Sequence, residues 1–82
     1  MKMPDLIFKE VSTVFGAGQQ ATVFFPNGFG VSILRGGDLN FDWEIAVLKG
    51  NSEHWELWGE KVTETNDEED VKNILSLVES LR

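Results

Sequence analysis

The run Ala21-Thr22-Val23-Phe24-Phe25-Pro26-Asn27-Gly28-Phe29-Gly30-Val31-Ser32-Ile33-Leu34-Arg35 decides the fold. Its two flanks are rich in β-branched and aromatic residues, which fit a pleated, half-buried surface, and Pro26-Asn27-Gly28 between them is turn chemistry. Asn-Gly supplies the positive-φ positions that a tight hairpin turn demands, so Ala21–Phe25 and Phe29–Arg35 are expected to pair antiparallel. A chain that commits its middle to a hairpin is organised around a sheet.

Towards the N-terminus, Gly16-Ala17-Gly18 reads as a break, and Leu6 to Phe15 ahead of it is ambiguous. Ile7, Val11, Val14 and Phe15 share a helical face, whereas Val11, Thr13, Val14 and Phe15 favour a strand, which is the preferred reading. Towards the C-terminus, Gly36-Gly37-Asp38 makes the next break. Phe41 to Lys49 then gives a strand with Trp43, Ile45 and Val47 on one face. Gly50-Asn51-Ser52 turns the chain into a weaker strand, Trp55 to Val62, with Trp55 and Leu57 expected on the core side and Glu56, Trp58 and Glu60 on the other. Beyond it the hydrophobic period lengthens to that of a helix: Val71, Ile74, Leu75, Val78 and Leu81 share a face with Leu77 beside it, and Lys72, Asn73, Ser76, Glu79 and Ser80 lie opposite. Thr65 or Asn66 is placed to cap this helix, and Thr65 with Glu68 has the capping-box spacing. Asp67, Glu68, Glu69 and Asp70 set negative charge at the positive end of its dipole. The expected fold is α+β in a single domain over residues 1–82: an antiparallel four- to five-stranded β-meander at about 6–62, with one C-terminal α-helix at about 67–81 packed on one face.

Composition narrows the function classes. The 82 residues, 41% hydrophobic and 26% charged, suit one globular core. The absence of cysteine removes disulfides, thiolate nucleophiles and the commonest zinc cages, and fits a reducing cytoplasm, the expected location. Met1-Lys2-Met3-Pro4-Asp5 has a charge and a proline where a signal peptide has its apolar run, and no apolar stretch is long enough to span a bilayer, so secretory and membrane readings are set aside. Residues 1–35 carry three basic and two acidic side chains, residues 36–82 four basic and twelve acidic, so the net charge of -7 belongs to the second half. That field repels phosphate backbones; it sets aside direct nucleic-acid binding and favours basic partners.

Three motifs bear on chemistry. Gly16-Ala17-Gly18-Gln19-Gln20-Ala21 fits the dinucleotide fingerprint, with Asp38 near the distance for a ribose ligand, but a strand and Pro26 follow where a helix is required. Asp38, Asn40, Asp42 and Glu44 alternate like the start of a calcium loop, yet Trp43 stands where the loop needs glycine and Lys49 where it needs glutamate. His54, the single histidine, has Glu53 and Glu56 nearby and no cysteine or second imidazole to complete a metal site. The expectation is a non-enzyme without cofactor or metal.

The surplus acids and one tryptophan are the remaining signal. Trp58 beside Glu56 and Glu60 makes an aromatic anchor ringed by acids, as a basic partner surface would require, although Trp58 covering an open sheet edge or lying under the N-terminal segment accounts for it equally. Asp67 to Asp70 is what a helix start prefers, whereas Asp38, Asp42, Glu44, Glu53, Glu56, Glu60 and Glu64 are not required for folding. The candidate partner-binding residues are therefore Glu56, Trp58, Glu60, Asp67, Glu68 and Asp70. Self-association through the sheet, and a small-ligand or calcium-binding role, are the rival readings.

Phe25-Pro26-Asn27-Gly28-Phe29-Gly30-Val31-Ser32, Glu44-Ile45-Ala46-Val47-Leu48 and the acidic helix start running into Val71 and Ile74 resemble small phage- and prophage-encoded proteins of unknown function. The shared motifs are turn and core residues and carry no catalytic residue. The resemblance implies an accessory protein that occupies a functional surface of a bacterial host protein, as inhibitors of restriction or CRISPR systems do. The expected function is thus a non-catalytic acidic binding module acting on a host nucleic-acid-handling complex.

Overall fold

The structure, a computed structural model, describes residues 6–13, 16–36 and 41–81, with Thr13, Glu60 and Lys61 described through the backbone alone. Among these residues, five strands form one antiparallel sheet in chain order: β1 (Lys9–Thr13), β2 (Gly16–Phe24), β3 (Phe29–Arg35), β4 (Trp43–Gly50) and β5 (Trp55–Thr65). The helix α1 (Glu68–Glu79) follows and packs on β3, β4 and β5. The α+β meander with a C-terminal helix is the fold.

Pairing places Ala21, Ile33 and Ile45 in one row and Val23, Val31 and Val47 in the next, all on the same face of the sheet. Against these rows α1 sets Val71, Leu75 and Val78, spaced as one stripe of a helix, and together with Val31, Ile33 and Ile45 they form the buried core. Each such side chain removed from water contributes roughly 1.5–3 kcal/mol. Leu6 and Phe8, ahead of β1, extend this core. The Arg35 guanidinium lies 3.5 Å from the Phe8 ring centroid and 5.8 Å from that of Trp43, and its Nε donates to Gln19 Oε1 at 2.9 Å. That cation held between two rings fastens the N-terminal segment to the sheet.

Local details depart from the sequence reading where tertiary partners intervene. Gly16, Ala17 and Gly18 are strand residues, paired with Thr13, Ser12 and Val11, because β1 supplies ladder partners that glycine propensity does not anticipate. The Val14 and Phe15 part of the strand-or-helix question lies outside the described residues. β4 begins at Trp43, not Phe41, and β5 runs past Val62 to Thr65.

The β2–β3 turn is also of another type than expected. Gly28 has φ 87° and no described non-glycine residue has a positive φ, so Asn27 does not take the left-handed position that a two-residue turn would give it. Pro26 fixes a negative φ and starts an ordinary turn, closed by Gly28 N–H donating to the Phe25 carbonyl at 3.3 Å. Phe25 N–H donates to the Phe29 carbonyl at 2.8 Å, completing a three-residue loop in which Gly28 alone is left-handed.

Both ends of α1 are tied down. The N-cap is Asp67, neither Thr65 nor Asn66: its Oδ1 accepts the Glu69 N–H at 2.9 Å. Thr65 stands further out, its hydroxyl accepting the Asp67 N–H at 3.0 Å and donating to Asp70 Oδ2 at 2.6 Å. Asn66 Oδ1 accepts the Asp42 N–H at 2.8 Å, joining the cap to the chain that enters β4. At the other end α1 has no basic residue in its last turn, and Asn27 takes that place. Its Nδ2 donates towards the carbonyls of Val78 at 2.9 Å, Glu79 at 3.1 Å and Leu81 at 2.9 Å, while its Oδ1 accepts the Phe29 N–H at 3.1 Å. The hairpin turn is therefore the C-terminal clamp of the helix, donating to carbonyls at and just beyond its last turn, of which Val78's also accepts the Leu81 N–H at 3.1 Å.

Candidate functional site

The site begins with a slip in register between β4 and β5. Pairing runs from Trp43↔Thr65 to Ala46↔Val62 and resumes at Leu48↔Leu57, so Val47 alone faces Trp58 to Lys61 and β5 bulges there. Gly59, at φ 83°, occupies the left-handed position that lets the strand leave and rejoin the ladder. Because Leu57 and Val62 are an odd number of residues apart, alternation alone would place them on opposite faces. The bulge instead brings both out on the face away from α1, opposite Leu48 and Ala46. Trp55, opposite Gly50, joins them.

This overturns one expectation. Trp55 and Leu57 do not face the core; they are 53% and 61% exposed, Val62 is 43% exposed, and the core side of β5 holds Thr63 and Thr65. Strict alternation cannot register a bulge, and the assumption that the larger apolar side chains turn inward fails in an edge strand.

The open face is legible as three rows across the sheet. Phe24, Gly30, Leu48 and Leu57 form the first, with the Phe24 ring so close over Gly30 that a Cβ there would stand 2.6 Å from Phe24 Cδ1. Leu48 is 1% exposed, a second, smaller apolar centre on this face. Thr22, Ser32, Ala46 and Val62 form the middle row, tied to the next by Gln20 Nε2 donating to Ser32 Oγ at 2.8 Å. Lys9, Gln20, Leu34, Glu44 and Glu64 form the third, with the exposed Lys9 at the β1 edge and the two glutamates directly opposite one another on β4 and β5. Like charges so placed oppose folding by roughly 0.2–1 kcal/mol. Among the described residues the ion pair present is Lys72–Glu69 at 3.3 Å, and neither Glu44 nor Glu64 has a cationic partner.

The residues singled out from the sequence separate into two places. Glu56 and Trp58 lie towards the start of β5: Glu56 is exposed and opposite Lys49, and Trp58, 47% exposed, sits in the bulge with its ring edge-on to Phe29 at 5.4 Å. Glu60 lies in the same bulge, its side chain outside the described residues. Asp67, Glu68 and Asp70 are at the start of α1, at the far end of β5, with Asp67 and Asp70 engaged in the cap. They do not form one patch with Glu56 and Trp58. Sequence reasoning missed Trp55, Leu57, Val62, Glu44 and Glu64 as a group; the available signal was Gly59, an isolated glycine within a strand pattern, which marks a bulge.

A depression of about 380 Å³ lies beside Lys49, Gly50, His54, Trp55 and Glu56, and another of about 320 Å³ beside Ile7, Lys9, Val11, Gln20 and Thr22. Among the described residues no group of three or more His, Asp or Glu side chains could hold a metal ion. Asp38 and Asn40 of the alternating acidic series lie outside the described residues. Gly16 to Gly18 pair in a strand ladder and do not open a helix, so they offer no phosphate cradle. Among the described residues no helix is long and apolar enough to cross a membrane. No family model, no curated protein and no solved structure matches the chain.

Proposed function

We propose that this chain is a non-catalytic protein-binding module that docks the open face of its sheet on a basic protein surface. The observation that carries the proposal is the meeting, on that one face, of the exposed Trp55, Leu57 and Val62 with the opposed Glu44 and Glu64. Aromatic and aliphatic side chains at the centre of an interface supply most of its binding energy, and charges at its margin select and steer the partner. A pair of opposed carboxylates with no cationic partner among the described residues is costly to the free protein and becomes favourable when a partner's lysine or arginine lies between them. A second copy of the chain would bring the same glutamates and the same net charge of -7 to the contact, which favours a basic partner over self-association. Surfaces dense in cations are those that proteins present to nucleic acid, so the specific form of the proposal is the blocking of a nucleic-acid-handling complex, in keeping with the phage-inhibitor resemblance.

The test is affinity purification from a bacterial lysate with the wild-type chain and with a Leu57→Ser, Glu64→Lys double variant, each at low and high salt. Proteins retained by the wild type alone, and released by salt and by added nucleic acid, are the expected result. Equal retention by both chains would refute the site, and a concentration-dependent dimer in sedimentation that the double variant abolishes would turn the reading to assembly.

A further inference from the structure

We propose that Asn27 is a hydrolysable latch: a deamidation site that the folded hairpin protects and whose reaction releases the last turn of α1. The chemistry is that of an asparagine followed by glycine, the least hindered neighbour. The Gly28 backbone nitrogen, after losing its proton, attacks the Asn27 side-chain Cγ; a C–N bond forms, the Cγ–Nδ2 bond breaks, and ammonia leaves. Water then opens the cyclic imide at either carbonyl, leaving aspartate or isoaspartate, so that the sum is amide plus water to acid plus ammonia.

Every atom this reaction needs is engaged in the folded chain. The leaving nitrogen is held by the carbonyls of Val78, Glu79 and Leu81 at 2.9, 3.1 and 2.9 Å. The side-chain oxygen is held by the Phe29 N–H at 3.1 Å, and the Gly28 N–H is donated to the Phe25 carbonyl at 3.3 Å. Gly28 is exposed and Asn27 half-buried, so water and hydroxide reach the turn while these hydrogen bonds hold the side-chain amide and the attacking nitrogen in place. Reaction therefore proceeds through the opened turn, and the product does not close again. Aspartate has no N–H to donate and sets an anion against three carbonyls at the negative end of a helix that has no basic residue in its last turn. Isoaspartate further lengthens the backbone of a three-residue loop. The folded lifetime of the domain is thus tied to how often one turn opens.

The full chain is incubated at mildly alkaline pH, native and in denaturant, and Asn27 is followed by peptide mass analysis with isoaspartate detection. Native reaction at least about tenfold slower than in denaturant is expected, the ratio set by a local opening of only about 1.4 kcal/mol. Equal rates would overturn the protection. The reacted chain, separated by charge, is then compared with Asn27→Asp and with the unreactive Asn27→Gln by amide hydrogen exchange: protection at Val78 to Leu81 should be lost in the reacted chain and in Asn27→Asp. Full protection there in the reacted chain would overturn the latch, and so would unchanged exchange in Asn27→Asp.

Discussion

Replacing Glu64 by lysine should make the domain more stable while removing it from its partner. Glu64 and Glu44 occupy directly opposed positions on β5 and β4, without a cationic neighbour among the described residues. A like pair in that geometry costs roughly 0.2–1 kcal/mol and an opposite pair contributes a similar amount, so Glu64→Lys should gain about 0.5–2 kcal/mol. For a chain of this size about 1 kcal/mol raises the melting temperature by roughly 4–8 °C. The gain should also depend on salt. Raising ionic strength from about 0.01 M to 1 M shortens the screening length from about 30 to 3 Å, so the wild type should gain stability and the variant lose most of its advantage. Urea denaturation at both salt concentrations measures this, with the slope against urea unchanged because neither residue alters the surface exposed on unfolding. A Glu64→Lys chain that melts at or below the wild type at low salt would show that the two carboxylates do not feel each other, and the functional argument built on their opposition would go with it.

Other outcomes follow from the same geometry. Asn27→Ala should cost about 1–2 kcal/mol through the lost hydrogen bonds, and Asn27→Asp more than Asn27→Ala; aspartate tolerated as well as asparagine would mean that Asn27 serves the turn alone. Leu57→Ser should shift the urea midpoint very little, by at most about 0.5 kcal/mol as exposed positions do, yet reduce partner retention; a large stability loss would place Leu57 in a core. Asp67→Ala should cost about 1 kcal/mol through the lost N-cap, read as faster amide exchange at Glu69, whereas Asn66→Ala should leave that amide unchanged.

Much of the architecture was legible along the chain. The β-branched and aromatic flanks of Pro26-Asn27-Gly28 imposed a hairpin, the alternation of Trp43, Ile45 and Val47 set one face of β4, and the spacing of Val71, Leu75 and Val78 imposed a helix with one apolar stripe. These are local signals, repeated every two residues or every helical turn, and any fold must honour them. The candidate site was not legible in the same way. Glu56, Trp58 and the acids at the start of α1 stood out by type, but type does not report distance, and β5 holds the two groups apart.

What tertiary structure alone decided is which face β5 shows and what closes α1. The bulge at Gly59 shifts the phase of one edge strand, turning Leu57 and Val62 outward together and leaving the exposed Thr63 and the buried Thr65 on the other side. Asn27 reaches carbonyls more than fifty positions away in the chain because the hairpin and the end of α1 pack side by side. Periodicity is a property of neighbours along the backbone. Register and clamping arise between segments brought together only when the core has closed, where a single displaced residue changes the neighbours of every side chain that follows.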